Sequence, residues 1–143
     1  MVIYHIKNKK MQDKILVSVY GSLRKGLSNH KFYLKNNELL GEFKTDPIYE
    51  LYDLGSFPGL KKEGYTSVTM EVYEVNHEEL AHLDMLEGYR NSKDDYYIRE
   101  IINTPYGKAY TYFYNHSVTN SKKVKTGDWK EHVQQLKVTG CNV

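Results

Sequence analysis

The chain has 143 residues, 40% hydrophobic and 27% charged, with 20 basic and 18 acidic residues interspersed to a formal net charge of +2. That fits one globular domain with a modest core, and the charge is not one-sided enough to favour a nucleic-acid partner. No apolar stretch approaches the length that spans a membrane. Cys141 is the only cysteine. An intramolecular disulfide is therefore impossible, which suits a reducing cytoplasm and argues against a cysteine nucleophile.

Residues 1–10 are a short apolar patch followed by a basic one, too short and too polar for an export signal. Met11 stands just upstream of the first convincing strand, so residues 1–13 are expected to be an N-terminal extension, 14–132 the domain and 133–143 a C-terminal tail. Ile15-Leu16-Val17-Ser18-Val19 is rich in β-branched residues and reads as a short buried strand. It runs into Tyr20-Gly21-Ser22-Leu23-Arg24-Lys25-Gly26. A strand leaving the core there delivers free backbone N–H groups into a turn, a nest that suits a carboxylate, a phosphate or a developing oxyanion. Gly21 would let a ligand approach the main chain, and Ser22 adds a hydroxyl; the alternative is a plain turn after a strand. The loop is not a P-loop, because Gly26 is followed by Leu27-Ser28, and the spacing of Gly21 and Gly26 is not that of a dinucleotide fingerprint.

Asn29 to Leu34 reads as a short helix capped by Ser28 or Asn29. Residues 39–53 read as extended segments broken near Asp46-Pro47, since Pro47 lacks an N–H, and residues 54–60 as a loop. Ser67 to Val75 alternates as a half-buried strand does, with Val68, Met70 and Val72 against Thr69 and Glu71. Asn76 caps a helix from His77 to about Glu87, Glu79 completes a capping box, and Gly88 ends it as a left-handed residue. Tyr96–Ile102 and Lys108–Tyr114 form a hairpin across Thr104-Pro105-Tyr106-Gly107. Residues 116–127 are polar and lysine-rich, an expected exposed loop. Strands outnumber helices, so the fold class is a mixed α+β domain or small barrel.

Within the helix, Leu80, Leu83 and Leu86 mark the buried side, and Glu87 projects along it, four residues from Leu83. An acid there is costly unless paired, and desolvation would raise its pKa toward the range of a general base; alternatively Glu87 frays out to meet Arg90 or Lys93. Asp84, one turn earlier, is expected to be structural. His77 and His82 are five apart, point well away from each other and cannot share a metal. His30 has a capping or surface role rather than a ligand contact, and nothing places a base beside Ser22, so no Ser-His-Asp order is supported. Many of the 14 tyrosines fall on expected strands, Tyr97, Tyr110, Tyr112 and Tyr114 among them. They pack across strands, or in a barrel one hydroxyl lines a polar pocket.

Taken in order, strand-Tyr20-Gly21-Ser22-Leu23-Arg24-Lys25-Gly26, Ser56-Phe57-Pro58-Gly59-Leu60, Leu83-Asp84-Met85-Leu86-Glu87-Gly88-Tyr89, Tyr97-x-Arg99 and a tyrosine-rich strand resemble the γ-glutamylcyclotransferase-like superfamily, in particular its small γ-glutamylamine cyclotransferase-like branch. The resemblance spans about residues 15 to 130. It implies a small mixed β-barrel with flanking short helices and a pocket at one end. It also implies an enzyme in which the α-amine of a γ-glutamyl amide attacks its own γ-carbonyl, giving 5-oxoproline and an amine or amino acid, with no metal or cofactor. Glu87 would be the general base. Tyr20, Gly21, Ser22 and Leu23 would hold the substrate through main-chain amides, with Tyr112 or Tyr114 adding a hydrogen bond. The expected partner is a small γ-glutamyl substrate, with no nucleic acid and no membrane, for a cytoplasmic monomer or weak homodimer. A non-catalytic module that binds a small carboxylate in the same loop is the alternative.

Overall fold

The computed structural model describes residues 14–138; the expected extension at 1–13 and Cys141 lie outside them. The elements in chain order are β1 (Ile15–Val19), α1 (His30–Tyr33), β2 (Leu39–Lys44), β3 (Tyr49–Asp53), β4 (Pro58–Thr66), β5 (Thr69–Val75), α2 (His77–Glu87), β6 (Tyr97–Thr104), β7 (Gly107–Tyr114), β8 (Lys122–Lys123) and α3 (Trp129–Val138). Five strands form one sheet in the order β2-β5-β1-β7-β6, and three form a second in the order β4-β3-β8. β1 pairs antiparallel with β5 and parallel with β7.

The expected β-barrel is corrected to two open sheets in an α+β domain. β2 and β6 end the larger sheet, and β3 pairs with β4 and β8 instead of extending it. The strand at residues 69–75 also differs from its half-buried reading. Thr69 through Tyr73 are all buried, because β5 lies inside the sheet and both of its faces are covered. On one face Tyr73 and Val75 pack with Val17 and Val19, with Leu80 and Leu83 of α2, and with Leu23 of the turn after β1. On the other, Val68 and Met70 pack with Leu51, Leu60, Phe113, Val124 and Trp129. Each such buried side chain contributes about 1.5–3 kcal/mol. The alternation that reads as a wet face at Glu71 is a polar side chain inside the protein.

α2 forms as its sequence dictates. The Asn76 side chain accepts from the Glu79 amide, the Glu79 carboxylate accepts from the Asn76 amide, and Gly88 closes the helix at φ 69°. The β6–β7 hairpin turns through Pro105-Tyr106, with Thr104 opposite Gly107. Three local expectations change. Asn29 has helical backbone angles and makes no side-chain cap bond. The segment 116–127 carries β8 and a fully buried Val124. α3 runs across the boundary expected at 132/133. No helix among the described residues is long and apolar enough to cross a membrane.

Candidate active site

The turn after β1 is shaped by its own hydrogen bonds and held from behind. The Arg24 amide donates to the Gly21 carbonyl at 3.0 Å, and the Asn29 amide to the Ser22 carbonyl at 3.0 Å. Arg24 is 1% exposed. Its guanidinium bonds Glu71 of β5 at 2.9 Å, Asp128 beside α3 at 2.9 Å and Glu42 of β2 at 3.1 Å. Glu71 also accepts from the Lys25 amide, the Tyr73 hydroxyl and Lys130. Burial alone would raise the pKa of Glu71, but its amide, guanidinium and phenol donors outweigh burial and hold it below 4.5. Two strands, β5 and β2, and the start of α3 thus fix the turn through one charge cluster centred on buried Arg24 and Glu71. The amides of Arg24 and Lys25 are consumed. Those of Gly21, Ser22 and Leu23 donate to no described residue and remain available.

The glycine in this turn has a different reason from the one its sequence suggested. A Cβ on Gly21 would lie 2.7 Å from Pro58 Cγ, so the close approach that excludes a side chain is made by the proline ring of β4. The Asn29 Nδ2 donates to Ser22 Oγ at 2.7 Å, which leaves the Ser22 hydroxyl proton free to donate elsewhere.

Facing this turn is a cavity of about 570 Å³ lined by Tyr20 to Leu23, Pro58, Glu87, Tyr97 and Tyr112, among others, within the range of small-molecule sites. Glu87 keeps partial accessibility through the cavity, yet its carboxyl is enclosed enough that burial pushes its pKa up to about 7. Its negative charge raises the pKa of Tyr20, Tyr97 and Tyr112, secondary in each to burial, which places all three phenols near it. None of them donates to it. Tyr20 donates to the Tyr112 carbonyl at 2.7 Å, Tyr97 to the Pro58 carbonyl at 2.7 Å, and Tyr112 to Asp84 Oδ1 at 2.7 Å. Asp84 is also paired with Arg99, the structural role expected of it. The Glu87 carboxyl makes no hydrogen bond or ion pair to any described residue, so the surface pairing with Arg90 or Lys93 is not formed.

Of the residues singled out by sequence, Tyr20, Gly21, Ser22, Leu23, Glu87 and Tyr112 meet in this one cavity. Tyr114 does not line it, and packs edge-on against Tyr97 with ring centroids 5.4 Å apart. Tyr97 takes the place expected of Tyr114, and the hairpin register, which sets Tyr97 opposite Tyr114, was the signal that could have found it. Tyr20 contributes wall and backbone rather than its hydroxyl, which also accepts from the Leu60 amide at 3.3 Å. Asn29 was missed as a lining residue because its cap reading absorbed it. His30 meets the Leu23 carbonyl at 3.1 Å. Among the described residues no cluster of three or more His, Cys, Asp or Glu is placed to hold a metal.

The family described as gamma-glutamyl cyclotransferase, AIG2-like, matches residues 17–131. A Vibrio cholerae protein provisionally named a gamma-glutamylcyclotransferase is 47% identical over 118 residues, covering 82% of this chain and 97% of that protein. The gamma-glutamylcyclotransferase family protein YtfP of Escherichia coli K12 is 40% identical over 113 residues, 79% of this chain and 94% of that protein. The solution NMR structure of Escherichia coli ytfP has a TM-score of 0.65 at 37% identity, covering 82% of this chain and 98% of that one. A Niallia circulans relative, named gamma-L-glutamyl-butirosin B gamma-glutamyl cyclotransferase, is 34% identical over 121 residues, 80% of this chain and 74% of that protein.

Proposed function

The chain belongs to the gamma-glutamyl cyclotransferase, AIG2-like family, and on that footing we propose that it cyclises a small γ-glutamyl amide to 5-oxoproline with release of an amine, using Glu87 as general base. The observation that carries this reading is Glu87 itself, an unpartnered carboxyl with a pKa of about 7 in the same cavity as the free amides of Gly21, Ser22 and Leu23. A group with that pKa is ionised and protonated in comparable amounts near neutrality, which suits both taking and returning a proton. The Niallia circulans relative, named a gamma-L-glutamyl-butirosin B gamma-glutamyl cyclotransferase, supports a γ-glutamyl substrate.

The nucleophile belongs to the substrate, so the protein's work is to fold the substrate and move protons. The three free amides and the Ser22 hydroxyl hold the anionic end of the glutamyl group. That hold bends the chain so that the α-nitrogen lies against the γ-carbonyl. Glu87 takes a proton from the α-ammonium, the freed amine attacks the carbonyl carbon, and the bond from that carbon to the leaving nitrogen breaks. Over the cycle the α-nitrogen loses two protons and the leaving nitrogen gains two, both relayed by Glu87, whose carboxyl ends as it began. Tyr112 and Tyr97 hold the cavity's shape, their protons being engaged with Asp84 and Pro58.

The test is incubation with a panel of γ-glutamyl amines and dipeptides while following 5-oxoproline, with Glu87→Gln as the paired variant. Turnover by the native protein and a loss of about 100-fold or more in the folded variant is expected. Undiminished turnover by Glu87→Gln would remove the assigned base. Tight binding of a small carboxylate with no turnover across the panel would replace catalysis by binding alone.

A further inference from the structure

Among the described residues, Glu87 is the only one of formal charge that lines the cavity. Its inner wall is made of buried Tyr20, Leu23, Tyr97 and Tyr112, whereas Phe57, Met85 and Tyr96 line it while being 48%, 79% and 65% exposed. These three form an apolar rim where the cavity meets solvent. Cations buried or half-buried elsewhere are engaged away from it: Arg24 with Glu71, Asp128 and Glu42, Arg99 with Asp84, and Lys61 with the Tyr114 carbonyl. The free amides of the turn suffice for the one carboxylate of a glutamyl group. A γ-glutamyl dipeptide carries a second carboxylate on its leaving group, and no cation among the described residues lines the cavity to receive it.

We infer that the leaving amine has an apolar body and no carboxylate, and that Phe57, Met85 and Tyr96 form the subsite that receives it. This rests on the cyclisation reading above. The glutamyl end occupies the enclosed part, where Glu87 and the amides are, and the leaving group extends along the rim. Apolar contact made before and during reaction alike appears chiefly in KM. A carboxylate placed on the same rim loses hydration without gaining a partner.

Three substrates separate the contributions. γ-Glutamyl-phenethylamide and γ-glutamyl-phenylalanine differ only in the carboxylate, and γ-glutamyl-methylamide lacks the apolar body. The phenethylamide is expected to exceed each of the others in kcat/KM by about tenfold or more, mainly through KM. In Met85→Lys, which adds a cation at an exposed helix position, the ratio of phenylalanine to phenethylamide substrate is expected to rise about threefold to tenfold. Equal or better use of the phenylalanine substrate by the native protein would overturn the argument from the missing cation. Equal use of the methylamide would overturn the rim subsite. An absence of 5-oxoproline from all three and from the wider panel would overturn the cyclisation reading and this inference with it, a result distinct from turnover without preference.

Discussion

Replacing Glu87 by glutamine should change stability in a way that depends on pH, separately from its effect on turnover. Burial raises the Glu87 carboxyl from 4.5 to about 7, so the ionised form is disfavoured in the folded chain by at most about 3 kcal/mol. Water entering through the cavity mouth screens part of this, bringing the expected value nearer 2 kcal/mol. Between these two pKa values the folded protein binds more protons at this position than the unfolded chain does. Its contribution is therefore fully present below pH 4.5 and is lost as pH rises through about 7. Glutamine cannot ionise and has no such loss. A glutamine amide in this cavity carries its own desolvation cost, of about 1–3 kcal/mol, but that offset does not vary with pH. Urea titrations at pH 4, 6 and 8 should show the variant's midpoint rising relative to the native protein by about 1 M or more between the first and the last. Parallel stability curves would refute the enclosed, unpartnered carboxyl and with it the physical basis for a general base here.

In the cyclisation assay, kcat/KM is expected to rise with pH and level off around a midpoint near 7, set by the Glu87 carboxyl; a profile without an inflection between about pH 6 and 8 would count against it. Arg24→Met leaves buried Glu71 and half-buried Asp128 without their guanidinium, and should cost about 3–5 kcal/mol in urea unfolding; a loss below about 1 kcal/mol would mean the cluster is solvated. Gly21→Ala sets a Cβ 2.7 Å from Pro58 Cγ, and should destabilise by about 1–3 kcal/mol. Adding Pro58→Ala should recover part of that loss. If glycine serves ligand approach instead, stability will hold and only KM will rise.

The local architecture was largely legible because it is written in short-range chemistry. Asn76, Glu79 and Gly88 delimit α2 by groups three to twelve residues apart, and the hairpin turn at Pro105-Tyr106 fixes its own register. Glu87 could be flagged because helix periodicity sets it on the Leu83 side. What the sequence hid is long-range. Glu71 looked like the wet face of an alternating strand, since its guanidinium partner lies 47 residues away on a turn. The packing reason for glycine at position 21 was hidden because Pro58 lies 37 residues on. Tyr114 was favoured over Tyr97 because period-two reasoning along β7 cannot see the strand across from it. Whether two sheets close into a barrel depends on edge pairing, which no local pattern encodes.

The distribution of polar partners argues that the cavity is a reaction site rather than a gap in packing. Around it, donors with a structural acceptor within reach are already bonded: three phenols to two carbonyls and Asp84, the Arg24 guanidinium to three carboxylates, the Lys25 amide to Glu71. A protein interior tolerates few unmet polar groups, because each costs about 1–3 kcal/mol. Apart from Thr69 Oγ1 and Arg99 Nε, which are buried without a described partner elsewhere, the groups without one include a carboxyl and a run of successive amides on residues that line the same cavity. Their characters are complementary, one able to accept a proton and the others to bind negative charge. A zwitterionic substrate that brings an ammonium and a carboxylate would satisfy both at once. On the cyclisation reading, the cost that Glu87 imposes on the folded state is the property that would make it basic enough to act near neutral pH.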